Sequence, residues 1–244
     1  MAQTILVTSG KGGVGKSSSS VFLGYALARR HKKVLIVELD AGLRGLDIML
    51  GVEDKTAYNM GALLLGRCDP YDAVVTSDHQ NGLSLLPAPG DHWDDLRQAD
   101  LVWLVKSISA YYDYILLDSP AGFGKGFRIG VSAADSALLV VTPDPICVRD
   151  GAIASRLLYQ NGVTQQRLLI NRVRQQYGRI ELMPDLDAVI DQTGVQLIGV
   201  VPEDPQIIRS GAKGIPLPET CKAFQAFDNV GKRITGQYCP LAIR

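Results

Sequence analysis

The chain has 244 residues, with 25 basic and 25 acidic side chains, a formal charge of zero and 46% hydrophobic residues. That length suits one large α/β domain with a substantial core, and the balanced charge excludes steering to nucleic acid by the overall field while leaving room for a local basic patch. No apolar run approaches a membrane span and the N-terminus lacks the charged and apolar regions of a signal peptide, so the expected location is the cytoplasm. Cys68, Cys147, Cys221 and Cys239 form no C-x-x-C pair and read as reduced thiols.

The first apolar run, Ile5–Val7, leads into Gly10-Lys11-Gly12-Gly13-Val14-Gly15-Lys16-Ser17 and then a helix-like stretch from Ser17 to about Arg30. Strand, glycine-rich turn and helix are the setting of a phosphate-binding loop. Its glycines let successive amides converge on one anion, and the helix N-terminus adds its dipole. Lys16 then supplies a point charge for the β- and γ-phosphates, Ser17 a hydroxyl for Mg²⁺, and Val14 and Ser18 complete the nucleotide-binding run. Lys11 is a second lysine that an ordinary nucleotide pocket does not need.

The second run, Val34–Val37, is followed by Glu38-Leu39-Asp40-Ala41-Gly42-Leu43-Arg44. Asp40 sits in a glycine-containing loop able to move with a γ-phosphate, where it orients the attacking water or contacts Mg²⁺; its plainer reading is a turn residue beside Gly42. A further strand is expected at Leu83–Leu86, before Pro87-Ala88-Pro89-Gly90. Ile115–Leu117 ends in Asp118-Ser119-Pro120-Ala121-Gly122, and Asp118 takes the place of a metal-linked carboxylate in phosphate-loop NTPases, or else of a helix cap. Leu138–Val141 runs into Thr142-Pro143-Asp144, Leu168–Ile170 into Asn171-Arg172, and Ile198–Val201 into Pro202-Glu203-Asp204.

These runs are continuous rather than alternating, as in strands covered on both faces of a parallel sheet. Helix-like intervals such as Val21, Tyr25 and Ala28 fit βα repetition. Ligands of open parallel sheets bind beyond the carboxyl ends of the strands. Six segments deliver polar or turn-forming residues to that edge, and one nucleotide site accounts for them together.

The loop at Gly10–Ser17 resembles the deviant Walker A motif of the ParA/MinD family of ATPases. Asp40 to Asp47, Asp118 to Gly122, Val148-Arg149-Asp150 and Val201 to Asp204 resemble the MinD branch of that family, over nearly the whole chain. The resemblance implies an α/β P-loop NTPase with a mostly parallel, doubly wound sheet flanked by helices, of the SIMIBI kind. It further implies a single domain over 1–244, with a phosphate-loop strand and helix at 1–31, a C-terminal helix at 218–235 and a tail at 236–244. ATP and Mg²⁺ would be held between two subunits of a homodimer, with Lys11 reaching the partner subunit's phosphates much as an arginine finger does.

By the same resemblance Lys11, Lys16 and Asp40 form the catalytic set, and Ser17, Asp40 and Asp118 hold the metal. Asn171, Arg172, Pro202, Glu203 and Asp204 surround the adenine. The implied role is an ATP-hydrolysing dimerisation switch that places the division septum, slow until a partner stimulates it, with an inhibitor and an ATPase activator as protein partners.

Three features depart from the family pattern. Gly45 stands where Asn is common, and Glu38 where Asp is usual, which bears on the hydrolysis rate. The helix expected at about Thr220 to Ile234 carries Ala223, Phe224, Phe227, Val230 and Ile234 on one side, a core-packing face rather than a membrane face. The tail after it has one charge and a proline, so a peripheral place on the membrane needs an anchor beyond Arg244. The alternative reading is a ParA-type partition ATPase binding nonspecific DNA through Arg156, Arg167, Arg172, Arg174 and Arg179, a set whose plainer reading is a solvated surface. A flagellar-positioning ATPase, a metal-cluster ATPase and a binding module without catalysis are the remaining rivals.

Overall fold

Strands that are apolar on both faces need a helical layer on each side, and the computed structural model has both. It describes residues 1–41, 45–90, 93–174 and 185–241. The strands are β1 (Gln3–Thr8), β2 (Val34–Glu38), β3 (Val75–Thr76), β4 (Leu83–Leu86), β5 (Tyr114–Asp118), β6 (Ser136–Val141), β7 (Gln166–Val173) and β8 (Leu197–Pro202). They form one sheet in the order β3-β4-β2-β5-β1-β6-β7-β8, parallel throughout except for β3 against β4. The helices are α1 (Lys16–Ala28), α2 (Leu46–Leu50), α3 (Met60–Leu64), α4 (Pro70–Ala73), α5 (Gln98–Ile108), α6 (Lys125–Ala133), α7 (Pro145–Gln160), α8 (Leu186–Thr193), α9 (Pro205–Lys213) and α10 (Lys222–Ile234).

Successive side chains of a strand point to opposite faces, which explains the unbroken apolar runs. Ile5 and Val7 of β1 join Val21, Phe22 and Phe227 in the layer built by α1 and α10, while Leu6 between them joins Leu104 and Phe127 of α5 and α6. All seven expected apolar runs are strands. Polar residues such as Gln3 and Gln166 still pair, so β1 and β7 begin before their apolar stretches. The eighth strand, β3, was not expected; two residues are too few to show a period.

Helix α1 begins at Lys16 because Gly15, at φ 93°, turns the chain out of the loop. It stops at Ala28, two residues short of the expected Arg30, before His31 enters the left-handed region at φ 58°. Helix α10 begins at Lys222, with the Cys221 sulfur accepting the Phe224 N–H. Its apolar stripe packs inward: Ala223, Phe227 and Val230 are buried, and the Phe227 ring lies 5.8 Å from that of Phe22. Phe227→Ala should therefore cost about 3–5 kcal/mol, read as a lower denaturant midpoint at unchanged slope.

Candidate functional site

The parallel register brings the carboxyl ends of the central strands level. Val7 of β1 and Glu38 of β2 both lie opposite Asp118 of β5, and the glycine-rich loop leaves β1 at that edge. Gly10 lies against α7, where a Cβ would come 2.6 Å from the Asp150 carbonyl oxygen. A Cβ on Gly15 would collide with the side-chain nitrogen of Asn171. The loop is thus seated between α7 and the end of β7.

Asn171 and Arg172 brace it from that side. The Asn171 amide donates to the Val14 carbonyl at 2.8 Å and the Arg172 guanidinium to the Gly13 carbonyl at 2.8 Å. Peptide planes are trans, so an N–H points opposite its neighbouring carbonyl. Pulling these carbonyls toward β7 turns the amides of Val14 and Gly15 away from it, toward the place of an anion. Arg172 holds a left-handed φ of 56° to do this.

Lys16 is buried, its ammonium 3.2 Å from the Ser9 hydroxyl and 3.4 Å from the Lys11 carbonyl. Burial lowers its pKa, while the charges of Asp118 and Asp40 oppose that shift. Asp40 is half-buried just beyond β2, close enough for its charge to act on Lys16. Asp118 is 1% exposed and accepts hydrogen bonds of 2.7 Å from both Ser17 and Ser20. Burial raises its pKa from 3.8 to about 6, against the pull of the two serines and Lys16, and Glu38 adds to the rise.

Glu38 is itself buried, and desolvation pushes its pKa up. Its carboxylate accepts three backbone N–H groups, from Gly45 at 3.2 Å and from Leu46 and Ala88 at 3.3 Å. A hydroxyl beside carboxylate oxygens is the donor type Mg²⁺ prefers. Among the described residues no group of three or more His, Cys, Asp or Glu could hold a metal by itself. An ion at Ser17 would therefore need phosphate and water oxygens as well, which is how Mg²⁺ is usually bound.

Lys11 lies at the rim, half-exposed, with its ammonium 3.2 Å from the Asp144 carboxylate. Asp144 also caps α7 through the Cys147 N–H, which together with Lys11 keeps its pKa below the usual carboxylate value. An exposed pair of this kind is worth at most about 1 kcal/mol.

The expected adenine segment divides. Pro202 closes β8, and the Glu203 carboxylate pairs with Arg174. Both Asp204 oxygens are engaged, one on the Gln206 N–H and one on the Ala223 N–H. The main chain of this segment, rather than its carboxylates, is what remains to line a base. Ser18, in the first turn of α1, is half-buried.

Sequence reasoning missed Ser9, Ser20 and the partner of Lys11. Ser20 was accessible, since i and i+3 share a helix face and Ser17 was already assigned. Of the supposed basic patch, Arg172 is engaged on the loop and Arg174 on Glu203, while Arg179 lies outside the described residues.

A glycine-rich loop at the carboxyl edge of a doubly wound sheet, with a buried lysine and a serine–aspartate pair, defines a phosphate-loop nucleotide-binding protein. Comparison with known proteins agrees: residues 5–217 match the family model described as the CobQ/CobB/MinD/ParA nucleotide binding domain. The septum site-determining protein MinD of Synechocystis is 38% identical over 98% of this chain and 92% of its own. The MinC:MinD cell division protein complex of Aquifex aeolicus superposes with a TM-score of 0.92 at 36% identity, covering 99% of both chains. MinD of Pyrococcus horikoshii, solved with Mg-ADP, gives 0.86 at 30% identity and 96% of both chains. The chain belongs to the MinD family of septum site-determining ATPases.

The raised Asp118 carries a sign. Unfolded, the carboxyl titrates near 3.8; folded, near 6. The folded state holds the extra proton between those values, so stability falls as pH rises through that window. The charged form costs on the order of 2–3 kcal/mol above it. In protein free of nucleotide and metal, Asp118→Asn should raise the melting temperature by about 5 °C at pH 8 and leave it nearly unchanged at pH 4, as followed by circular dichroism.

Proposed function

We propose that this chain is an ATP-driven dimerisation switch of the division-site system. In this reading it binds ATP with Mg²⁺, pairs with a second copy across the nucleotide and hydrolyses ATP slowly until a partner stimulates it. The observation that carries the reading is the pair of lysines on one loop. Lys16 is buried inside the loop, where its charge meets the β- and γ-phosphates, while Lys11 is held at the rim by one weak contact. An incoming triphosphate from a second copy offers Lys11 a stronger anion than Asp144 does.

Ser17 and Asp118, with Asp40, would hold the metal; Mg²⁺ when bound neutralises charge on the phosphates. Asp40 then orients the attacking water near Lys16. The backbone amides of Gly10, Gly12, Gly13, Val14 and Gly15 receive the phosphate oxygens, with Ser18 beside them. Arg172, by tethering Gly13, keeps those amides aimed.

The base is adenine in this reading because of Asn171. Its NH₂ is committed to the Val14 carbonyl, and among the described residues its buried Oδ1 has no hydrogen-bond partner. Adenine presents an amine there, whereas guanine presents a carbonyl at the same ring position. Pro202, Glu203 and Asp204 flank the base through their main chain.

The protein partners are a division inhibitor, as MinC is partnered with MinD in the Aquifex complex, and an ATPase activator. The place of action is the cytoplasm, peripheral on the membrane if an anchor lies beyond Arg244. Among the described residues no helix is long and apolar enough to cross a membrane. Two measurements test these points. With ATP and Mg²⁺ the wild type should elute as a dimer in light-scattering chromatography and Lys11→Ala as a nucleotide-bound monomer; a dimeric variant removes Lys11 from the interface. Calorimetric titration should show ATP bound roughly 10- to 100-fold more tightly than GTP, the cost of leaving a buried acceptor facing a carbonyl.

A further inference from the structure

We infer that Glu38 is a positioning residue for hydrolysis, because its carboxylate fixes both the exit of the Asp40 loop and the end of β4. The inference rests on the ATPase reading above and goes beyond it by assigning a role to a residue outside the proposed nucleotide- and metal-binding set.

The loop leaves β2 at Leu39, whose N–H donates to the Asp118 carbonyl at 2.9 Å. Helix α2 begins at Leu46. Between these fixed points stand six residues, 40–45, with Asp40 the first of them. One end is therefore held by the sheet. The other needs a separate anchor.

Helix α2 cannot supply it alone. Five residues are too few to form a stable helix in isolation, and its first N–H groups have no acceptor within the helix. Such groups are usually met by a Ser, Thr, Asp or Asn side chain at the N-cap. The N-cap here is Gly45, which has no side chain. Glu38 replaces it from seven residues back: Oε1 accepts the N–H groups of Gly45 and Leu46. Oε2 accepts the Ala88 N–H just past β4. One buried carboxylate thus joins two loops that leave the sheet on neighbouring strands.

At its other end α2 is fixed as well. Its C-cap, Gly51 at φ 65°, abuts Gly214 at the end of α9, and a Cβ on Gly51 would lie 2.8 Å from the Gly214 carbonyl. With α2 held at both termini, the Glu38 contacts set the span across which the loop must close. With Leu39 held by the sheet, that span bounds the freedom of Asp40 relative to Lys16. Placement matters, since a displacement of about 1 Å can cost on the order of 100-fold in rate.

The geometry makes the side chain specific. Aspartate is shorter by one carbon–carbon bond, roughly 1.5 Å, so one carboxylate cannot reach both α2 and Ala88. Glutamine keeps the length but turns an NH₂ toward one of the two N–H sets. Alanine leaves all three amides without an acceptor.

The test uses wild type, Glu38→Asp, Glu38→Gln and Glu38→Ala, each checked for folding by thermal melting. Mg-ATP affinity is measured with a fluorescent ATP analogue, and hydrolysis in single turnover. Affinity should stay within about threefold of wild type for all. The single-turnover rate should fall at least tenfold for Gln and Ala and less for Asp. Folded variants that hydrolyse at the wild-type rate overturn the inference, as do variants whose affinity and rate fall in proportion, the mark of a structural role alone. Hydrogen exchange on the wild type covers variants that fail to fold: the Gly45 and Leu46 amides should be at least 100-fold protected in the nucleotide-free protein, and rapid exchange there refutes the anchor. Absence of turnover in the wild type would instead remove the ATPase reading itself.

Discussion

A buried ammonium and two buried carboxylates share the carboxyl edge of the central strands, and the site depends on keeping them together. Lys16 loses hydration on entering the loop, and Asp118 and Asp40 offset part of that loss. Asp118 in turn is held by two serine hydroxyls and stands in register with Glu38. No member of this group would be stable there alone, since an isolated charge in a dry interior is expelled or neutralised. The negative charge gathered at this edge is the electrostatic setting that a divalent cation complements, while the Lys16 ammonium and the loop amides are the complement of a phosphate.

Much of this was legible in the sequence. The apolar runs located seven strands because residues buried on both faces need no polar alternation, and the double-lysine loop identified its own chemistry. The strand ends gave Asp40, Asp118 and Asn171 a common edge. What escaped were contacts between residues far apart in the chain whose types carry no signal. Asp144, the partner of Lys11, reads in the sequence as no more than a helix cap. Glu38 stands out in the sequence as a departure bearing on hydrolysis, but its three backbone partners are visible only in the fold. The resemblance alone makes Asn171 a base contact; the fold adds that its amide braces the loop.

The arginines show how position decides meaning. In a linear reading they form a basic stretch suited to DNA, yet Arg172 reaches back to the phosphate loop and Arg174 to Glu203. A guanidinium already committed within the molecule is a poor phosphate anchor for an external polymer. The fold therefore turns Arg172 onto the phosphate loop and Arg174 onto the end of β8.

The paired glycines at the ends of α2 and α9 have a mechanical consequence. Backbone meets backbone there with no side chain to act as a cushion. Helices α2 and α9 are thereby locked end to end, so neither can shift toward the other without displacing it. The contact thus makes one rigid block of two segments that leave well-separated strands of the sheet, β2 and β8.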